Sequence, residues 1–359
     1  MGGTGGSVIE VTNTDDSGPG SLRAALEASG PRVVVPKVSG YVTLAAPITV
    51  NDGHLTYDGV GKALCLRNAS TNVRSCLIVQ GTEEIVLRNL RVRPGFVANV
   101  GDSHRALTVT DCSKVVVDHC SFTWGIDICA VFGGCEDVTV QWSIFSEGLN
   151  NAGHPAGPHA RGVNARESSN GVPARRITFH HNLSSHVQYR TPQVSNSDEV
   201  ELINNVVYQT SQQGTNINMD ANNQVFSTRA RIWNNHYSRI GGSHHEVNLS
   251  DRRGPDTNIF VKGNIGPNRP TGSEPELDCV DPEDRDVCQS SGPKQAFPHP
   301  AVRVPNQSAV TARTKVLEKV GANLPYRDAV DERLVQQAID GTGSLINHPD
   351  DVGGYPVLI

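Results

Sequence analysis

The chain has 359 residues, 37% of them hydrophobic, with 35 glycines and 21 prolines but only 5% aromatics, a balance that fits many short strands and turns rather than long helices. A formal net charge of −6 argues against a nucleic-acid partner, which needs a basic surface, yet leaves room for an acidic ligand in a local basic cleft. No apolar run reaches the roughly eighteen residues of a membrane-spanning helix, so a soluble protein with no membrane partner, and a monomer, is expected.

Residues 1–32 read as an opening segment: a glycine-rich start, a strand over Val8–Thr12, and a turn at Asp16–Gly20. Ser21 is the expected N-cap of a short capping helix, Leu22–Ala28, ended by Gly30. A helix this short holds only when packed on other structure, and the strand-like run Val33–Leu44 offers that support.

From residue 83 the sequence repeats. Strands starting at Ile85, Val115, Val138, Ile177, Val200, Ala230 and Ile259 share one alternating pattern, spaced 30, 23, 39, 23, 30 and 29 residues apart. Constant strands with variable loops predict a coil stacking on itself. Asn182, Asn205, Asn235 and Asn264 share the sixth position of four successive strands, the phase required for a ladder of stacked amides. The expected fold is all-β, a right-handed parallel β-helix over residues 33–270, with one domain spanning 1–359. Antiparallel hairpins would need two-residue turn signals that are mostly lacking. Residues 271–359 read as a proline-rich extended tail followed by helices Thr311–Val320 and Asp328–Ile339, packed on the coils.

Eight cysteines favour export. Cys279 with Cys288, and Cys112 with Cys135, are spaced for disulfides, with buried free thiols as the alternative.

Phase within the coil brings chemistry together. Asp127 follows its strand start by twelve residues and Arg190 follows its own by thirteen, two coils later, so both belong on one face about 10 Å apart by the inter-strand spacing. Asn150 and Asn151 share this phase in the coil between, and the insertion GHPAGPHARG adds His154, His159 and Arg161. With Tyr189 beside Arg190, these residues outline a cationic groove for an acidic sugar polymer. A surface ion pair is the plain reading of an aspartate and an arginine sharing a face, and strand-end support is that of Asp118 and His119.

The stretches VVVDHCSFTWGID (Val115–Asp127) and ITFHHNLSSHVQYRTP (Ile177–Pro192), with the glycine-rich opening, TNTDDSGPGSLRAAL and the closing RDAVDERL…DVGGYP, resemble the bacterial pectate lyase family that also includes the pectin lyases, polysaccharide lyase family 1. The resemblance runs nearly end to end and implies a β-helix lyase that is secreted and cleaves pectin-type polygalacturonate by β-elimination, yielding 4,5-unsaturated oligouronides. The arginine of the RxP motif, here Arg190, is the implied base. Three acidic positions bind calcium in the family's pectate lyases; they correspond to Arg105, Asp127 and Val131, so calcium has Asp127 as its one remaining acidic ligand. The lysine of the next coil corresponds to Asn150. Pectin lyases lack the calcium site, which implies that Arg105 neutralises substrate charge with Asp127 as its partner. Two alternatives remain: a glycoside hydrolase on the same scaffold, which needs two carboxylates, and a non-catalytic polyuronate-binding β-helix.

Overall fold

Three parallel sheets wind around one apolar interior. The computed structural model describes every residue except 100, 218–224, 243, 251–252, 292–303 and 306. Each coil contributes a strand to the first sheet, of 11 strands, then to the second and the third, of 8 strands each, and all named strand pairs are parallel, as in Val115 beside Ile85 and Val138. This is the expected parallel β-helix, with the right-handed sense that strand crossovers take.

Alternation in the sequence becomes stacking inside. One inward column of the first sheet runs Leu55, Ile85, Val115, Val138, Ile177, Val200, Ala230, Ile259. A second, two residues along, runs Tyr57, Leu87, Val117, Val140, Phe179, Leu202, Ile232, Val261. Like sits on like because the strand period of two repeats in register every coil.

The corner from first to second sheet turns through a left-handed residue in coil after coil, including His119 (φ 50°), Trp142 (50°), His181 (55°), Asn204 (57°) and Asn234 (54°). Just past it lies the predicted ladder: Asn182, Asn205 and Asn235 each donate from Nδ2 to Oδ1 of the next asparagine at 3.0 Å, ending at Asn264. The amides satisfy corner groups that water cannot reach. On the outside of this corner Trp142 stacks against His119 and His181, while Asp118 accepts from His119 and Gln141. Asp118 and His119 are therefore corner supports.

The coils extend further than the sequence suggests. The first sheet already starts at Ser7–Val11 and gains a last rung at Cys288–Gln289. The capping helix α1 is Leu22–Leu26, with Ser21 accepting from Ala24 N–H. The two closing helices, α2 (Ala309–Lys319) and α3 (Ala329–Asp340), lie on the outer face of the second sheet, where Val316, Leu317, Leu334 and Val335 meet Ile144, Leu183, Val206 and Tyr208. Part of the expected tail, 292–303 and 306, lies outside the described residues.

A buried ionic clamp secures this layer. Arg91 of the second-sheet strand Arg91–Val92 and Arg93 just after it bond Asp328, and Arg93 also bonds Asp331 at 2.8 Å, all four side chains being fully buried. The disulfide expectation fails: all eight cysteines are free. Cys112 and Cys135 face backbone carbonyls of Thr110 and Gly133 instead of each other, and Cys279 faces Glu276. Burial pushes the thiols of Cys135, Cys279 and Cys288 up to about 12, so the cysteine argument for export no longer stands.

Candidate active site

The site lies at the corner from second to third sheet, where loop lengths vary. Arg105 begins the third-sheet strand Arg105–Thr110; Asp127 ends the corner after Ser121–Thr123. The backbone N–H of Asp127 donates to His104 O at 3.0 Å, tying its turn to the previous coil. Trp124, fully buried, anchors the same turn by donating from Nε1 to Glu147 at 2.9 Å, and Arg333 of α3 binds both oxygens of Glu147. Glu147 is thus consumed by structure, and among the described residues no second carboxylate joins Asp127 in its contacts with Arg105, His154 and His159.

Asp127 is 4% exposed; Arg105 Nε lies 2.7 Å from its Oδ2, and His159 Nε2 and His154 Nε2 lie 3.3 Å and 3.9 Å from its Oδ1. The His159 hydrogen bond and the charges of Arg105 and Arg190 outweigh burial and hold its carboxyl far below the usual range. Arg105 spends only Nε here. Its Nη groups have no protein acceptor among the described residues, and the side chain is 20% exposed.

His154 and His159 form a parallel stack, centroids 3.5 Å apart and planes at 8°. Burial lowers both pKa values, leaving two neutral rings. Their Nε2 atoms and Asp127 cluster within 4.8 Å, close enough to ask whether a metal fits. Calcium does not: it takes six to eight oxygens, whereas both Asp127 oxygens already face donors and Arg105 brings its own positive charge. A transition metal fits no better. Parallel rings do not converge their lone pairs, and His154 Nδ1 accepts from Ala156 N–H at 3.0 Å, which puts the proton on the nitrogen that would ligate.

Arg190, in the left-handed region at φ 67°, sits one strand beyond Arg161. Their chains meet closely: Val163 N–H donates to Arg190 O at 2.8 Å, and a Cβ on Gly162 would lie 2.3 Å from that oxygen, so glycine is required there. Both guanidiniums pack on the Tyr189 ring, with Cζ atoms 4.9 Å (Arg161) and 5.6 Å (Arg190) from its centroid. Arg190 Nε is buried with no acceptor among the described residues. Burial first, then the Arg161 charge, lowers the Arg190 pKa to about 10.

Arg105, Asp127, His154 and His159 therefore form one contact group and Arg161, Tyr189 and Arg190 a second, near enough that the Arg190 charge acts on Asp127 and the Arg161 charge on His159. Asn150 and Asn151 stand differently, because their backbone N–H groups bond the C-terminal segment at Ile346 O (2.8 Å) and Asn347 Oδ1 (2.9 Å). Arg161, rather than Asn150, brings the second-coil cation to Arg190. Sequence reading missed the bracing by Arg333, Ile346 and Asn347; partners nearly two hundred residues apart leave no pattern to find.

Fold and cleft together define a parallel β-helix protein with a cationic, carboxylate-buttressed groove. No protein-family model matches the chain. It is 29% identical over 377 residues to "Probable pectate lyase C" of Emericella nidulans, covering 99% of this chain and 77% of that one. Among solved structures it resembles the major allergen of cedar pollen (TM-score 0.61, 16% identity, 89% of this chain and 90% of that). It also resembles a Bacillus pectate lyase in complex with trigalacturonate (TM-score 0.55, 17% identity, 89% and 95%). Over nearly its whole length the chain is thus similar to fungal proteins named probable pectate lyase C, and it shares the parallel β-helix fold of solved pectate lyases.

Proposed function

We propose that this protein is a polysaccharide lyase that cleaves pectin-type polygalacturonate by β-elimination, without a protein-bound calcium ion. The observation that carries the reading is the placement of Arg190 beside Arg161, with its pKa brought down to about 10. An ordinary arginine stays protonated at any working pH and so has no lone pair to offer as a base; one that is desolvated and faces a second cation gives up its proton more readily.

Arg190 removes the C5 proton of a uronate unit. The electron pair left at C5 is stabilised by the adjacent carboxyl group, and the 4-oxygen departs with the C4–O4 electrons, leaving a 4,5 double bond. That carboxyl group must be neutralised for C5–H to become acidic. The free Nη groups of Arg105 supply two donors for it, oriented by Asp127, which His159 steadies from the other side. Preorganised charge of this kind costs no reorganisation as the reaction proceeds. Arg161 and Tyr189 line the approach to the base. The substrate is an extracellular polymer, which fits an exported enzyme.

Incubation with polygalacturonate and with methylated pectin, following the ultraviolet absorbance of the unsaturated product, tests this reading. Growth of absorbance supports it. Reducing ends appearing without absorbance, or no reaction on any uronate polymer with or without calcium, would overturn it.

A further inference from the structure

A second cavity lies on the same corner of the helix, two coils toward the N-terminus. It has a volume of about 230 Å³ and is walled by Arg67, Phe96 and the C-terminal segment at His348 and Tyr355. Arg67 belongs to the second-sheet strand Leu64–Asn68, and Phe96 sits in the loop that leads to Arg105 at the start of the next third-sheet strand.

The cavity wall also carries Asp350, whose carboxylate lies 3.3 Å from His348 Nδ1, while the guanidinium of Arg67 makes no ion pair with it. Its Nε donates to Thr43 Oγ1 at 2.8 Å, and its Cζ lies 5.1 Å and 5.4 Å from the ring centroids of Tyr41 and Tyr355. No carboxylate pairs with it among the described residues, and its Nη groups have no protein acceptor there. Tyr355 is itself fixed by donating to Arg93 O and Pro94 O. Phe96 is 43% exposed and touches His348 ring to ring at 5.0 Å. A planar cation with free paired donors beside an exposed aromatic face matches a sugar acid: the carboxylate takes the fork of nitrogens and an apolar sugar face lies on the ring.

We propose that Arg67 and Phe96 form a distal subsite for a uronate unit of the same polymer that is cleaved at Arg190. This rests on the reading of the cleft given above. In strand order along the second sheet, the Arg67 strand stands two places from the Asp127 corner, and the Arg190 corner two places beyond that. Four coils at about 4.8 Å each set the two ends about 19 Å apart. Long chains span that length and short ones do not, so the subsite gives the enzyme a preference for longer polymers.

The test measures binding by calorimetry, and cleavage by ultraviolet absorbance, for trigalacturonate and hexagalacturonate with the wild type, Arg67→Met and Phe96→Ala. Phe96 is exposed, so its variant folds even if loss of Arg67 disturbs the two tyrosines. The expected result is that the hexamer-to-trimer affinity ratio falls about tenfold in Arg67→Met, as loss of a charge-assisted contact implies, and several-fold in Phe96→Ala. An unchanged ratio in both variants overturns the subsite whether or not cleavage occurs, and so does a wild type that binds neither oligomer. Binding with the expected ratio but no unsaturated product overturns the lyase reading alone. An equal loss of affinity for a neutral galactan hexamer overturns the assignment of a carboxylate to Arg67.

Discussion

Arg105 Nε lies 2.7 Å from Asp127 Oδ2, joining two residues that are neighbours only because their coils stack. The pair is part buried and hydrogen bonded, and it leaves the Nη groups of Arg105 aimed outward. His159 faces the other oxygen of Asp127, so an added cation meets a donor at each oxygen and the charge of Arg105 beside them. Chelator is therefore expected to leave the rate of product formation unchanged, and added calcium to give no activation. Loss of activity in EDTA, restored by calcium, would show that the ion enters after all.

Removing the proposed base has a different signature from disturbing the fold. Arg190→Ala is expected to lower kcat by about 10²–10⁴, the usual contribution of a general base, with an unfolding midpoint close to wild type. Arg190→Lys is expected to be nearly as inactive, because a lysine at this site lacks the planar fork packed on Tyr189. Retention of more than a tenth of the activity in either variant counts against Arg190 as the proton acceptor.

The pH profile follows from the same placement. Elimination needs Arg190 unprotonated, so kcat is expected to climb through neutral pH toward an alkaline inflection near the Arg190 value of about 10. Arg161→Gln removes the second cation and raises that pKa, moving the inflection to higher pH. An inflection that stays put in Arg161→Gln would mean that burial alone sets the base.

Acid stability has its own window. Burial lowers the imidazoles of His104, His181 and His236 to about 4, and that of His180 to about 3, whereas an unfolded histidine titrates near 6.5. Below that value the unfolded chain binds more protons than the folded one. Stability is full above about pH 6.5 and declines as pH falls toward 4. Denaturant midpoints at pH 7, 5.5 and 4.5 should fall in that order; a flat series would mean that the rings protonate in place.

The ionic clamp under α3 is a stability element rather than a chemical one. Asp328→Ala leaves Arg91 and Arg93 buried without their shared acceptor, which is expected to cost about 3–5 kcal/mol. Thermal or denaturant unfolding checks this, with a loss under 1 kcal/mol as the contrary outcome.

Periodic features were readable in the sequence because they depend on local spacing. Seven strands in one phase and four asparagines at one position specified the coil, its inward columns and the amide ladder. The cap Ser21 was legible for the same reason: an N-cap bonds a neighbour a few residues on. Phase also placed Asp127 and Arg190 on one face, since stacking coils convert sequence phase into position.

Contacts across the stack were another matter. That Cys112 and Cys135 bond carbonyls, that Arg161 rather than Asn150 accompanies Arg190, and that His154 and His159 are parallel neutral rings all depend on irregular corner loops. The corner after Ile144–Ser146 is tied to the far end of the chain, Glu147 to Arg333, Asn150 to Ile346 and Asn151 to Asn347. The sequence by itself determined the repeating scaffold, because strand alternation and amide stacking act over a few residues. Tertiary structure alone decided which charges meet, because Coulomb and hydrogen-bond energies depend on separations of a few ångströms that loop geometry and the C-terminal layer fix.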